Sequence, residues 1–393
     1  MKVLFIHHST GFGGATKSLI LMQQALKSYA EIYTVIPNSS TNAENKRNLF
    51  SNSKEVIELN IPTIYSYSEK TIKFKEFKKR INYYPTELIN YINENLIDIV
   101  HINSSLYSNI LRHIKKNTKS KIVSHIREML PFGYDHPIDR FIIENYSQFS
   151  DAIIAISPNE VQFFSMKHNV FIIPNPHDFN LTNAILEDKS LNQLAYHNSK
   201  FTIGMIANFL PIKGHLIFLE ACKIIENQLK NSNLKTEYFI LGYPSKKISL
   251  KGILSYYFLD RYKIKFDKKV KRLKLRNLKI LEHSYDIYNL LSAVDIYVRP
   301  DISGHPWGRD VIEAMAFKKP IIATGESEFF IENGVTGYLV TPKEPKEIAK
   351  IVIELLKNPE KRKIMGEIAY QKIRNMCDIK EYGDKLISIY NRI

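Results

Sequence analysis

Short runs of consecutive apolar residues punctuate this chain, and between them apolar positions recur every three or four residues. The runs at Lys2–Ile6, Glu31–Ile36, Ile97–Ile102, Lys121–Ile126, Ala152–Ile156 and Val170–Ile173 have the length and branched residues of strands buried on both faces. Segments of helical spacing separate most of them, as at Leu19 and Leu26. This alternation predicts a parallel sheet with helices on both sides. It pauses over residues 178–200, which are polar and hold no sustained period, as an interdomain linker would. It resumes with strands at Thr202–Ile206, Leu278–Leu281, Asp295–Val298 and Pro320–Ala323. The chain closes on Tyr382, Leu386, Ile389 and Ile393 at helical spacing. The expectation is an α/β protein with domains over 1–180 and 198–377 and a last helix over 378–393.

Two glycine-containing turns carry the candidate chemistry. The first strand runs into His7-His8-Ser9-Thr10-Gly11-Phe12-Gly13-Gly14 and then a helix, a geometry in which backbone can approach a phosphate. It lacks both the full G-x-G-x-x-G spacing and the Gly-Lys-Ser/Thr ending of a P-loop, so hydride transfer and ATP hydrolysis are disfavoured. The second stretch, Gly304 to Pro320, opens with a turn and becomes a helix whose first turn holds Gly308, Arg309 and Asp310. Val311, Ile312, Met315 and Ala316 give that helix a buried face, and Glu313 lies off it. Its free N–H groups and positive dipole end suit an anion, and Arg309 adds a planar fork. An ordinary αβ unit, with Asp310 and Glu313 balancing the dipole, accounts for the same residues. Further polar residues stand at strand ends, where open α/β sheets bind ligands: His101 and Asn103, His125, Arg127 and Glu128, and Asn175.

Composition narrows the class. A chain of 393 residues that is 44% hydrophobic can build two folded domains. No apolar run approaches the roughly 18 residues of a spanning helix, and Met1–Ile6 is too short for a signal peptide, so a cytoplasmic location is expected. Cys222 and Cys377 are too few for a disulfide framework or a metal cluster, and Cys222 sits where a small buried hydrophobe fits. The net charge of +15 suits an anionic partner: nucleic acid, a membrane surface or a phosphorylated substrate. A genome rich in lysine codons would produce the same charge without a partner. Two tracts mix cations with aromatics, one over 73–80 and one over 261–276, where nine basic residues face one acid, Asp267. Either could meet an anionic membrane at the inner face of the cell; no RNA-binding signature accompanies them, and no nucleic acid is expected.

Gly308 through Pro320, followed by Gly325-Glu326-Ser327 and by Asn333-Gly-Val-Thr-Gly337, resembles the signature of retaining family-4 glycosyltransferases. That resemblance implies the GT-B fold, two Rossmann-like domains with parallel sheets facing across a cleft. Donor would lie on the second domain and acceptor on the first, with the last helix crossing back onto the first domain. The family's motif is a Glu, seven residues, and a second Glu followed by Ala-Met-Ala. Glu313 takes the second position and is expected on the ribose. His305 replaces the first, beside Trp307, and is expected at the sugar or a phosphate. Lys213-Gly214 match a phosphate-binding turn whose usual Gly-Arg is here Ala207-Asn208, and Arg309 is the substitute cation. Gly13 and Gly14 match a pair near the diphosphate and acceptor; His101, Asn103, His125, Arg127, Glu128 and Asn175 resemble the acceptor rim.

The resemblance therefore implies transfer of a sugar from a nucleotide-sugar donor, a UDP-sugar foremost, to a glycan or lipid-linked acceptor in surface polysaccharide synthesis. Lys213, Arg309 and the helix end would stabilise the leaving diphosphate without a metal, and no cofactor is expected. A nucleotide-sugar epimerase and a non-catalytic RNA- or membrane-binding protein on the same scaffold are the alternatives.

Overall fold

The computed structural model describes every residue except 12, 39–47, 66–73, 131–135, 163, 165–168, 189–199, 245–252 and 283–286. Lys73 of the first basic tract and most of the second half of the expected linker lie outside the described residues. The chain divides into two compact units, Met1–Pro176 with Ile379–Ile393, and His177–Asp378.

The first unit holds strands β1 (Lys2–Ile6), β2 (Glu31–Ile36), β3 (Glu55–Glu58), β4 (Ile99–Ile102), β5 (Lys121–Ile126), β6 (Ala152–Ala155) and β7 (Val170–Ile172). They form one sheet in the order β3-β2-β1-β4-β5-β6-β7, every pair parallel. Side chains cover both faces, as the unbroken apolar runs require. One face packs Val3, Phe5 and Ile154 against Leu19, Met22 and Leu26 of helix Gly14–Leu26 and against Tyr382, Leu386 and Tyr390 of helix Ile379–Arg392. The other packs Leu4, Ile6 and Val100 against Ile92, Ile114 and Tyr146. The last helix lies close on the first: a side chain at Gly383 would press on the Ala25 carbonyl, 2.7 Å away.

The second unit repeats the plan with β8 (Lys200–Ile206), β9 (Lys235–Tyr243), β10 (Leu278–Glu282), β11 (Ile296–Arg299), β12 (Ile321–Thr324) and β13 (Gly337–Val340), in the parallel order β10-β9-β8-β11-β12-β13. Residues 178–200 are not all irregular. Phe179–Glu187 is a helix capped by Asp178, whose carboxylate accepts from the N–H groups of Asn180 and Leu181, and it belongs to this unit. The sequence reading missed it because the helix shows little beyond its cap and a short apolar face.

In both sheets the strand order reverses beside the first strand, between β1 and β4 and between β8 and β11. Open α/β sheets bind ligands outside the carboxyl ends of the strands at such a point.

Candidate functional site

In the second unit the switch point is flanked by the turn after β8 and the loop after β11. The turn ends in Pro211–Lys213 and Gly214, which begins helix His215–Gln228. Gly214 has φ +76°, and a side chain there would overlap the Pro300 carbonyl. Only glycine permits both the conformation and the approach. The Ile302 N–H donates to the Ile212 carbonyl at 2.8 Å, which joins the two loops. Lys213 Nζ then reaches Asp301 Oδ2 at 2.9 Å.

Asp301 is the centre of this arrangement. Its side chain is 2% exposed, and Arg299 Nη2 lies 3.6 Å from Oδ2. Burial alone would raise its pKa, but Lys213, Arg299 and the Ser303 hydrogen bond together hold it below the ordinary carboxylate range. Arg299 is itself buried; Nη1 bonds Asp310, and Nε donates to the His305 carbonyl at 3.0 Å. Tyr297 gives its hydroxyl hydrogen to Asp310 Oδ2 (2.8 Å) or to the Ile206 carbonyl (2.9 Å). Asp310 thus does more than balance a helix dipole: it holds the arginine that props up the loop carrying His305.

The expected site residues separate into accessible and enclosed groups. Lys213 keeps 27% of its side chain exposed, whereas Arg309 keeps 7% and lies 3.2 Å from Glu313 Oε1 within helix Arg309–Ala316. Lys213 is the cation better placed to meet a phosphate from solvent. His305 is half-buried with its ring 5.0 Å from that of buried Trp307. Gly308 has no room for a side chain, which would meet Arg299 Nη1 at 2.8 Å. Gly325, at φ +127°, lies against the Gly304 carbonyl and brings the loop after β12 alongside. Asn208 and Glu326 are exposed and Ser327 half-buried on these same loops.

In the first unit the expected residues form one hydrogen-bonded network at the carboxyl ends of β1, β4 and β5. Arg127 Nε donates to Asn103 Oδ1 at 2.8 Å, Nη1 donates to Asn175 Oδ1, and Nη2 approaches His125 Nδ1 at 3.4 Å. Asn103 Nδ2 donates to His7 Nδ1 (3.0 Å), so the hydrogen of His7 is on Nε2, directed at Thr16 Oγ1 (3.1 Å). The Arg127 donor makes His125 Nδ1 an acceptor; His101 Nε2 therefore donates to it at 3.2 Å, and His101 Nδ1 accepts from Tyr390 at 2.6 Å. All three histidines are fully buried. Desolvation first, with Arg127 adding to it, lowers each of their pKa values well below the ordinary one. Glu128 accepts from the Ser104 hydroxyl (2.6 Å), the Ser105 N–H (3.0 Å) and the Ser105 hydroxyl (2.8 Å). Gly13 caps helix Gly14–Leu26, with nothing within 4 Å of where a side chain would begin.

Sequence reasoning missed Arg299, Asp301 and Ser303 in the second unit and His7 in the first. The rule that polar residues at strand ends mark a site would have found Arg299 and Asp301, which close β11 as His101 and Asn103 close β4.

Two parallel Rossmann-like units with these loops at their switch points define the GT-B class, and comparison with known proteins places the chain within it. Residues 187–372 match the family model of glycosyl transferases group 1. The structure superposes over its whole length on that of Anabaena HepE in complex with UDP and glucose, with TM-score 0.78 and 19% identity over 100% of each chain. Among curated proteins, an uncharacterized glycosyltransferase of Methanocaldococcus jannaschii is 24% identical over 70% of this chain and 65% of its own length. The capsular polysaccharide biosynthesis glycosyltransferase CapM of Staphylococcus aureus is 25% identical over 54% of this chain and 51% of its own. The aligned stretch thus spans about half to two thirds of these two relatives. Residues 187–372 thus carry a group 1 glycosyl transferase domain, and the chain as a whole has the GT-B fold.

Proposed function

We propose that this chain is a glycosyltransferase that moves a sugar, with retention of configuration, from a UDP-sugar to a glycan or lipid-linked acceptor in surface polysaccharide synthesis. The observation that carries the reading is Lys213, set at the switch point of the second sheet, exposed on one side and held by Asp301 on the other. HepE binding UDP and glucose supports the donor class, and CapM supports the acceptor class. In this reading Glu313 and His305 serve the ribose and sugar ends of the donor, and the Asn103–Arg127–Asn175 network of the first unit serves the acceptor. Lys213 offsets the charge that grows on the leaving diphosphate, the role a divalent cation would otherwise fill. Transfer from a UDP-sugar is therefore expected to persist in excess EDTA. Activity lost on chelation and restored by Mg²⁺ or Mn²⁺ would refute the metal-independent part. Failure of UDP-sugars to bind in calorimetry would refute the donor.

The basic tracts support a peripheral place on an anionic membrane. Among the described residues no helix is long and apolar enough to cross one. Helix Ile253–Leu273 turns Tyr262 and Phe266 into the core with Phe209, while Lys265, Lys268, Lys271 and Arg272 stay exposed. Helix Phe74–Ile81 packs Phe77 and Ile81 inward and exposes Lys75, Lys78 and Lys79. With Phe77, Tyr262 and Phe266 turned inward, the described residues of the tracts offer charge without a base-stacking platform, which favours lipid headgroups over RNA. Sedimentation should show retention on vesicles rich in phosphatidylglycerol, weakening at high salt, with each cation contributing about 1 kcal/mol before screening. Equal retention on neutral vesicles would remove the proposal.

A further inference from the structure

The loop after β11 contains a second device, separate from the grip on Lys213. Asp301 Oδ1 accepts from the Ser303 N–H at 3.0 Å and from the Ser303 hydroxyl. A carboxylate has no hydrogen to give, so the one hydroxyl hydrogen of Ser303 lies on the Asp301 side. The same Ser303 oxygen is 3.0 Å from His305 Nδ1. With its hydrogen already committed, that oxygen can only accept from the ring, and Nδ1 must carry the proton. Little in this loop is left to rotate. The Ile302 and Gly304 N–H groups are bonded to the Ile212 and Asp301 carbonyls. Arg299 Nε holds the His305 carbonyl, and Trp307 lies against the His305 ring.

We propose that Asp301 and Ser303 are positioning residues that fix His305 as the neutral Nδ1–H tautomer, presenting a bare Nε2 as the acceptor for a hydroxyl hydrogen of the donor's sugar. The inference rests on the donor reading of this site and deepens it. A fixed acceptor favours a neutral sugar bearing a hydroxyl at the contacted carbon. It disfavours a deoxy sugar, which has no hydrogen to give, and a carboxylate-bearing sugar, whose oxygen would face a lone pair. Three charged groups bear on the ring: Asp301, Arg299 and Lys213. Burial lowers the imidazole pKa first; Asp301 pulls it back, and Arg299 and Lys213 lower it further, to a net value below the ordinary one. The ring is therefore neutral at pH 7, as an acceptor must be.

The experiment is nitrogen-15 NMR on the full chain labelled at histidine, with His305 identified by its loss in His305→Gln. The expected spectrum has His305 protonated at Nδ1 and unprotonated at Nε2. Ser303→Ala should release the ring towards Nε2–H. It should also weaken UDP-glucose about tenfold, the size of one hydrogen bond, while leaving UDP unchanged. Ser303→Thr, which keeps a hydroxyl, should restore both readouts. An Nε2–H or evenly mixed ring in the wild-type protein overturns the proposal, as does equal weakening of UDP and UDP-glucose in Ser303→Ala. If UDP-glucose does not bind while the ring is Nδ1–H, the donor reading has failed and the relay stands.

Discussion

Replacing Lys213 with alanine is expected to lower turnover with a UDP-sugar by about 10²- to 10³-fold, on the order of 3–4 kcal/mol in the barrier. The size follows from where the charge appears. As the glycosidic bond breaks, negative charge grows on the diphosphate, and a preoriented cation stabilises that state more than the ground state. Lys213 is preoriented: Asp301 and the joined loops fix its ammonium before any ligand arrives. Arg309 is poorly placed to substitute, since its side chain is 7% exposed and lies against Glu313. The variant also leaves Asp301 buried with one cation fewer, so a loss of stability must be separated from a loss of chemistry. Thermal unfolding does this, because Arg299 and Ser303 still hold Asp301. A folded Lys213→Ala protein with near-normal turnover would move the diphosphate elsewhere. Lys213→Arg should recover part of the rate, because it returns a charge with different reach.

Ten of the thirteen strands among the described residues were legible from apolar runs, because parallel strands buried on both faces show as unbroken hydrophobic segments. The other three were not, for local reasons. β3, Glu55–Glu58, is a four-residue edge strand with charged ends and only partly buried centres. β9, Lys235–Tyr243, mixes Lys235, Thr236 and Glu237 into its first half and hides its period behind them. β13, Gly337–Val340, is short and begins at a glycine packed against the Ile321 carbonyl.

The candidate site was legible by residue type but not by partnership. Lys213, His305 and Glu313 stand out as residues, yet nothing in their spacing says that Asp301, 88 positions from Lys213, holds the lysine. Arg309 illustrates the converse. A cation in the first turn of a helix reads as an anion ligand, but four residues on stands Glu313, and the helix brings the two together. In the first unit, His101 and His125 read as acceptor-rim residues at strand ends. Helix Ile379–Arg392 supplies Tyr390 over His101, a partner 289 positions away that no local pattern announces.

That enclosure has a large expected consequence: the first unit should lose about 4 kcal/mol of stability between pH 7.5 and pH 5.5. His7, His101 and His125 are neutral in the folded chain, with pKa values held well below the ordinary 6.5 by burial and by Arg127. In the unfolded chain each returns to about 6.5 and binds a proton as the pH falls. The unfolded state then holds more protons than the native one, so stability rises with pH through this window. The contribution is fully present above the unfolded pKa and is lost as pH drops below it. One unit below, each histidine costs about 1.4 kcal/mol, and three act together. Most carboxylates titrate lower, so the window isolates the histidines. Trp307, the single tryptophan, lies in the second unit and follows that unit's unfolding. Hydrogen exchange at β1, β4 and β5 follows the first. Opening free energies there should fall by at least about 4 kcal/mol between the two pH values, since burial also lowers the pKa of His8 in this unit and adds to the fall. His125→Gln should remove about 1.4 kcal/mol of it. A change below about 1 kcal/mol in the wild-type chain would mean that at least two of these rings are protonated when folded, and the tautomers assigned to them would be wrong.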